Sequence, residues 1–370
     1  MKKTMQERLD KFLEGSWVIT GVGVVDRYNY LVVAEWWDPD NPKNLYETKS
    51  GEDSWTKLFR IDVKNEVIKG KVSHGALGKV YCDGGRTEDN TEAFFSSYTG
   101  STYHVDYRKD TFVHEDLLMH PDRFKDNSQR VIRGIRLIGN HFYTLDSNNM
   151  IHRRNTPKKW TLISAESNEY YKKISDDSAK CLASYSEKEI YFAGEKGSLW
   201  SYDGKHWDKI ANMPSEALNF RYIECCEDGS VYAIDSHADG IAVGRGKEFT
   251  FIPMKTNDPV KGNLVYDACT FNGKMYIADG DIYEFKNGAW IDANIPGIYG
   301  SVEHLASKDG VMFIATPYSL KIYNGKETFT LYGEAKEDAM LVTKALLETS
   351  GELLEKGHDF LDELAGQKKN

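Results

Sequence analysis

The sequence predicts an all-β chain folded as a ring of four-stranded blades, on three observations. One cadence recurs along the chain: apolar strand, tight turn, apolar strand, turn, a short strand bearing Tyr or Trp, a polar turn and an aromatic. Its clearest copies run from Cys181 to Ile210 and from Asp267 to Trp290. The aromatics read as opening each last strand are Trp55, Phe112, Trp160, Trp207, Phe249, Trp290 and Phe329. They recur at steps of roughly 40–57 residues, close to the length of a propeller blade. Asn-Gly or Asp-Gly pairs at 228–229, 272–273, 287–288, 309–310 and 324–325 separate apolar runs at matched positions. Such pairs accept the positive φ of hairpin turns. The expected architecture is a single seven-bladed β-propeller over residues 16–333, with a short N-terminal helix (1–15) and a C-terminal helical extension (334–370).

Each element follows from local pattern. Thr4-x-x-Glu7 reads as a capping box, which starts a helix with Met5, Leu9, Phe12 and Leu13 on one face. Ser16 to Val25 is expected as the innermost strand of blade one, followed by strands at 30–36, 44–51 and 54–59. Residues 60–75 then read as a link. Blade two follows with strands at 79–85, 93–100, 101–108 and 111–117, and the stretch from His114 to Gln129 reads as loop. The remaining blades begin at Val131, Cys181, Phe220, Asp267 and Ser301. Blades one and seven each hold four strands of their own, so the ring is expected to close by packing alone and to need a brace. The N-terminal helix is one candidate. The other is a helix from Glu334 to Gly366, whose face led by Leu346 and Leu353 is expected at the junction of blades one and seven.

Composition narrows the function classes. The 370 residues carry a formal charge of −10, which disfavours a nucleic-acid binder or an anionic membrane surface and is compatible with a basic protein partner. No apolar run is long enough to span a bilayer, and the first residues place charges where a secretory leader needs its apolar region. The cysteines, Cys82, Cys181, Cys225, Cys226 and Cys269, are odd in number and lack CxxC spacing; Cys181, Cys225, Cys226 and Cys269 fall on expected inner strands and read as small buried apolar residues. The expected compartment is the cytoplasm.

The turns before the last strands resemble the Asp-box of sialidase-type and photosystem-assembly-factor-type propellers. Ser201-Tyr-Asp203-Gly204-Lys-His-Trp207 keeps Ser, Asp, Gly and Trp in a frame one residue short. Thr48 to Trp55 and Arg153 to Trp160 keep the full frame but lose its Asp and Gly. The resemblance implies a turn whose acid caps backbone N–H groups and whose Trp packs between blades. It implies fold rather than activity. Sialidases also converge three arginines on a substrate carboxylate. Arg133, Arg136 and Arg221 do fall on expected inner strands, but from only two blades, and pairing with channel acids or channel water is the expected role.

No catalytic or cofactor motif stands out. His114, Glu115, Asp116 and His120 form the densest ligand-type cluster, with His104 and Asp106 one strand earlier, yet their spacing is not that of a metal helix. Neither metal nor cofactor is expected. Loop length concentrates on the face holding the second-to-third strand loops and the links between blades, where function commonly sits. There Trp36, Trp37, Asp38 and Asp40 place an aromatic pair beside acids, and His114, Glu115, Asp116 and His120 belong to a neighbouring link. These eight residues are the candidate partner-binding set. The chain is similar to bacterial immunity proteins with propeller folds. The expected function is therefore non-catalytic protein binding, in its specific form neutralisation of a basic bacterial toxin. The alternatives are a lectin-like propeller and a sialidase-like glycosidase or lyase.

Overall fold

A capping box opens the chain: Glu7 N donates to Thr4 Oγ1 at 3.2 Å and Thr4 N to Glu7 Oε2 at 2.7 Å, which starts α1 (Met5–Phe12). The structure is a computed structural model that describes residues 4–36, 55–74, 77, 79–98, 100–116, 131–147, 149–163, 178–210, 213, 218–255 and 257–333. Blade one is β1 (Trp17–Asp26), β2 (Asn29–Trp36), β3 (Trp55–Asp62) and β4 (Val67–His74). Blade two is β5 (Val80–Arg86), β6 (Thr91–Ser97), β7 (Ser101–Asp106) and β8 (Thr111–Asp116). Blade three is β9 (Ile132–Ile138), β10 (His141–Asp146), β11 (Ile151–Thr156) and β12 (Lys159–Leu162). Blade four is β13 (Ala179–Ser186), β14 (Glu189–Gly194), β15 (Leu199–Tyr202) and β16 (Trp207–Lys209). Blade five is β17 (Phe220–Cys225), β18 (Val231–Asp235), β19 (Gly240–Arg245) and β20 (Glu248–Pro253). Blade six is β21 (Asp267–Phe271), β22 (Lys274–Asp279), β23 (Asp281–Lys286) and β24 (Ala289–Asp292). Blade seven is β25 (His304–Lys308), β26 (Val311–Thr316), β27 (Ser319–Tyr323) and β28 (Thr328–Tyr332).

Every blade is an antiparallel four-stranded meander, and among the described residues no blade borrows a strand from another. The first strands touch in chain order around the ring, with β25 returning to β1. The chain is a seven-bladed β-propeller.

The core lies between blades, which explains a departure from simple alternation. Each second strand is sandwiched by the blades on both sides, so its two faces are both buried and it reads as an apolar run. In β2, Tyr30, Val32 and Ala34 pack toward blade seven, while Leu31 and Val33 pack toward blade two. Apolar clusters fill the seven junctions in the same way. The turns follow the expected chemistry where the loop is shortest. Asn272-Gly273, Asn287-Gly288 and Asp309-Gly310 have positive φ at both positions, the signature of a type I′ hairpin. At 228–229 and 324–325 only the glycine is left-handed. There Asp228 and Asn324 accept backbone N–H groups two residues ahead and close a longer loop.

Blade one departs from the expected register. Trp55 opens the third strand instead of the last, and the fourth strand is Val67–His74, inside what reads as a link. The expected third strand at 44–51 lies outside the described residues. The hairpin between β3 and β4 carries no Gly: Asp62 Oδ1 accepts Asn65 N at 2.9 Å, and Glu66 supplies the left-handed position at φ 53°. Its fourth strand, VIKGKVSH, also lacks the aromatic that marks the other blades. A second correction concerns the link expected from His114 to Gln129: its first residues, His114, Glu115 and Asp116, belong instead to the strand expected at 111–117. They continue β8, paired with Tyr103, Thr102 and Ser101.

The ring closes by packing, and α1 braces the junction. Ile19 N donates to Pro317 O at 2.9 Å across the junction, and the Tyr30 and Phe313 rings meet at 4.7 Å. Leu9 and Leu13 are buried in the same cluster as Phe59 of blade one and Phe313 and Leu320 of blade seven. Arg8 adds a hydrogen bond to the Glu66 carbonyl, and Lys57 Nζ donates to the Phe12 carbonyl at 2.5 Å. The expected C-terminal helix, with Leu346 and Leu353, lies outside the described residues.

Candidate functional site

Strand register builds an aromatic edge on blade one. Trp17 pairs with Trp36, Trp55 pairs with His74, and the pairing of Glu35 with Thr56 sets Trp36 beside Trp55. Three tryptophans therefore stand in a row across three strands at one face. Trp36 is 36% exposed and Trp55 41% exposed. Trp17 is half-buried beneath Lys57, whose Nζ sits 3.9 Å from its ring centroid. Single-residue reading singles out Trp36 with Trp37, and misses Trp17 and Trp55 because only strand pairing brings them together. Trp37, Asp38, Asp40 and His120 lie outside the described residues.

The other half of the candidate set divides. His114 is exposed in β8 with its ring 4.9 Å from Tyr103, on the blade next to the tryptophan row. Asp116 ends β8 on the same face as the end of β2. Glu115 points the other way and is 1% exposed. Arg154 of blade three donates to it twice, Nε at 3.1 Å and Nη2 at 2.8 Å, and Lys158 N adds a third bond at 3.1 Å. His104 lies between Glu92, at 3.1 Å, and Glu115, at 3.7 Å. The His104 hydrogen bond holds the Glu92 carboxyl below the usual glutamate range. Arg154 also lies over the Phe94 ring, 4.9 Å away. This network pins blade two to blade three. It takes Glu115 out of the contact surface and occupies His104. Among the described residues no group of His, Cys, Asp and Glu converges on a metal position.

The Asp-box-like turn of blade four behaves as its resemblance implies. Asp203 Oδ1 accepts Lys205 N at 2.9 Å and His206 N at 2.7 Å, and these N–H groups hold its carboxyl below the usual range. Trp207 then stacks on Tyr202 at 4.8 Å.

The first strands surround a central cavity of about 680 Å³. Arg133, Arg136 and Arg221 all line it. Arg136 reaches across the ring to Glu224 at 2.7 Å and donates through Nε to the Leu182 carbonyl at 3.2 Å. Burial pushes the Glu224 carboxyl up to about 7, against the opposing pull of Arg136. A carboxyl that binds its proton more tightly folded than unfolded contributes stability that is full below about pH 4.5 and lost as pH rises through about 7. Arg136→Gln removes the opposing charge, so the Glu224 midpoint should rise and the loss of stability toward neutral pH should deepen. A carboxyl NMR titration, with melting curves on either side of the midpoint, measures both. An unmoved midpoint would show that the pair is not coupled.

No family model matches the chain. The immune protein Tsi7 of Pseudomonas aeruginosa is 23% identical over 220 residues, covering 56% of this chain and 68% of that protein. Among solved structures, virginiamycin B lyase from Staphylococcus aureus superposes with a TM-score of 0.57 at 12% identity, over 81% of this chain and 92% of that one. Sqt1 from Saccharomyces cerevisiae gives 0.53 at 10% identity, over 87% of each. The structural likenesses speak to the propeller fold alone. The immunity-type resemblance read from sequence now has a distant relative that carries the name. Among the described residues no helix is long and apolar enough to cross a membrane.

Proposed function

We propose that this propeller binds a protein, and specifically that it neutralises a protein toxin as an immunity protein does. The observation that carries the reading is the relative named immune protein Tsi7. The surface supports it: exposed Trp36 and Trp55 stand side by side on blade one, and exposed Val72 and Val113 add apolar area on blades one and two. Aromatic anchors of this kind carry most of the energy at protein interfaces. The contact set is Trp36, Trp37, Asp38, Asp40, His114, Asp116 and His120, extended by Trp17 and Trp55. The formal charge of −10 and the acids Asp38 and Asp40 favour a basic partner, because opposite charge speeds encounter.

Co-expression with toxin genes from the same genome, gene neighbours first, tests the proposal. The parent chain should restore growth and co-purify with one toxin. Against that toxin, Trp36→Ala with Trp55→Ala should speed dissociation by about tenfold or more. Asp38→Asn with Asp40→Asn should slow association and flatten its salt dependence. If the chain protects against none of them, the immunity reading falls. If it protects but all four substitutions leave the kinetics unchanged, the contact face lies elsewhere on the ring.

A further inference from the structure

The acids of the central cavity are engaged, whereas among the described residues three of its cations form no ion pair. Lys79, Arg133, Arg136, Lys180 and Arg221 line it, against Asp83, Glu224 and Asp267, in a chain whose overall charge is negative. Glu224 is taken by Arg136. Asp83 accepts Gly84 N at 2.8 Å and Leu137 N at 2.7 Å. Asp267 accepts Ala268 N at 2.9 Å and Leu305 N at 3.1 Å, with His304 3.7 Å away. Lys180 pairs with Glu195 at 2.6 Å.

Lys79, Arg133 and Arg221 remain. Among the described residues none of them forms an ion pair. Each lies instead against a tyrosine ring: Lys79 by Tyr81 at 5.2 Å, Arg133 by Tyr98 at 5.5 Å and Arg221 by Tyr222 at 5.8 Å. Arg133 Nε is buried without a hydrogen-bond acceptor. All three sit at the same end of the channel, because Lys79 immediately precedes β5 and the arginines are the second residues of β9 and β17. Desolvation inside the channel, then the positive charge of Arg221, holds the Lys79 ammonium below the usual lysine value against the weaker pull of Asp267. Holding three cations together in a cleft costs Coulomb energy that an anion would relieve.

We propose that this channel mouth binds a small, multiply charged anion, a phosphate or polycarboxylate group, held by Lys79, Arg133 and Arg221 and walled by Tyr81 and Tyr222. Arginine forks match the paired oxygens of both groups. A cavity of about 680 Å³ has room for an organic anion, not only a bare ion. The channel mouth opens at the same end of the ring as the tryptophan row, because Trp17 also starts a first strand, yet the proposal stands whether or not a toxin is the partner.

Calorimetric titration of the full chain with inorganic phosphate and with citrate, at constant ionic strength set by sodium chloride, tests it. Saturable binding of at least one anion is expected, with a rise in melting temperature. Phosphate alone would assign a phosphate-bearing ligand, and citrate alone a polycarboxylate. Arg221→Gln should weaken binding by about tenfold or more. Lys79→Met should weaken it similarly while raising the melting temperature of the unliganded chain, because a repulsion is removed; a merely structural lysine would do the reverse. Circular dichroism checks each variant's fold, and either one suffices if the other fails to fold. No saturable binding of either anion, or parent-like affinity in a folded variant, would overturn the proposal.

Discussion

Trp290→Ala should destabilise the ring by about 3–5 kcal/mol, the range for emptying a buried aromatic site. Trp290 is 1% exposed in the last strand of blade six. It packs with Ile234, Ile241 and Met254 of blade five and lies 5.1 Å from the Phe285 ring. Two hydrogen-bonded sheets meet there, and neither can collapse into the space an indole leaves. Trp200→Ala at the junction of blades three and four should cost a similar amount, since Trp200 is also 1% exposed and stacks on Phe192 at 5.8 Å. Trp207 and Trp160 occupy the same repeat position as Trp290 but are half-buried, so their alanine variants should cost less. Urea unfolding ranks the four. A loss under about 1 kcal/mol for Trp290→Ala would contradict its place in the core.

Glu115→Leu should cost about 3–5 kcal/mol, because it strands a buried guanidinium. Arg154 is 8% exposed, with Glu115 supplying two of its acceptors; Glu92 lies 3.8 Å off as a weaker second partner. Adding Arg154→Met should return much of the loss, since removing both charges leaves no orphan. A surface contact residue would give the opposite pattern: parent stability in the single variant and weaker partner binding. Unfolding of the single and double variants separates the two.

These two sites show how far sequence reaches. The cadence, the Asn-Gly turns and the capping box are local, and each reports a backbone requirement that neighbouring residues meet or fail to meet. They place the strands of blades two to seven and α1 correctly. Blade one fails because its β3–β4 hairpin puts Glu66 where a glycine signal would be and its outer strand has no aromatic marker. Glu115 fails for a different reason. An acid next to two polar residues reads as surface, and only the arrival of Arg154 from the next blade makes burial favourable.

The sequence by itself determined the repeat, its number and its handful of turn types, since these depend on spacing and on φ preferences carried by single residues. It also marked the Trp36–Trp37 pair, one of whose rings alternation turns outward. Tertiary structure alone decided which side chains meet across blades. It lined up Trp17, Trp36 and Trp55, paired Arg136 with Glu224 across the channel, and left Lys79, Arg133 and Arg221 lining one cavity with no ion pair among the described residues. The physical reason is ring closure. It brings together residues dozens to hundreds of positions apart, and the balance of burial against charge at those meetings has no signature along the chain.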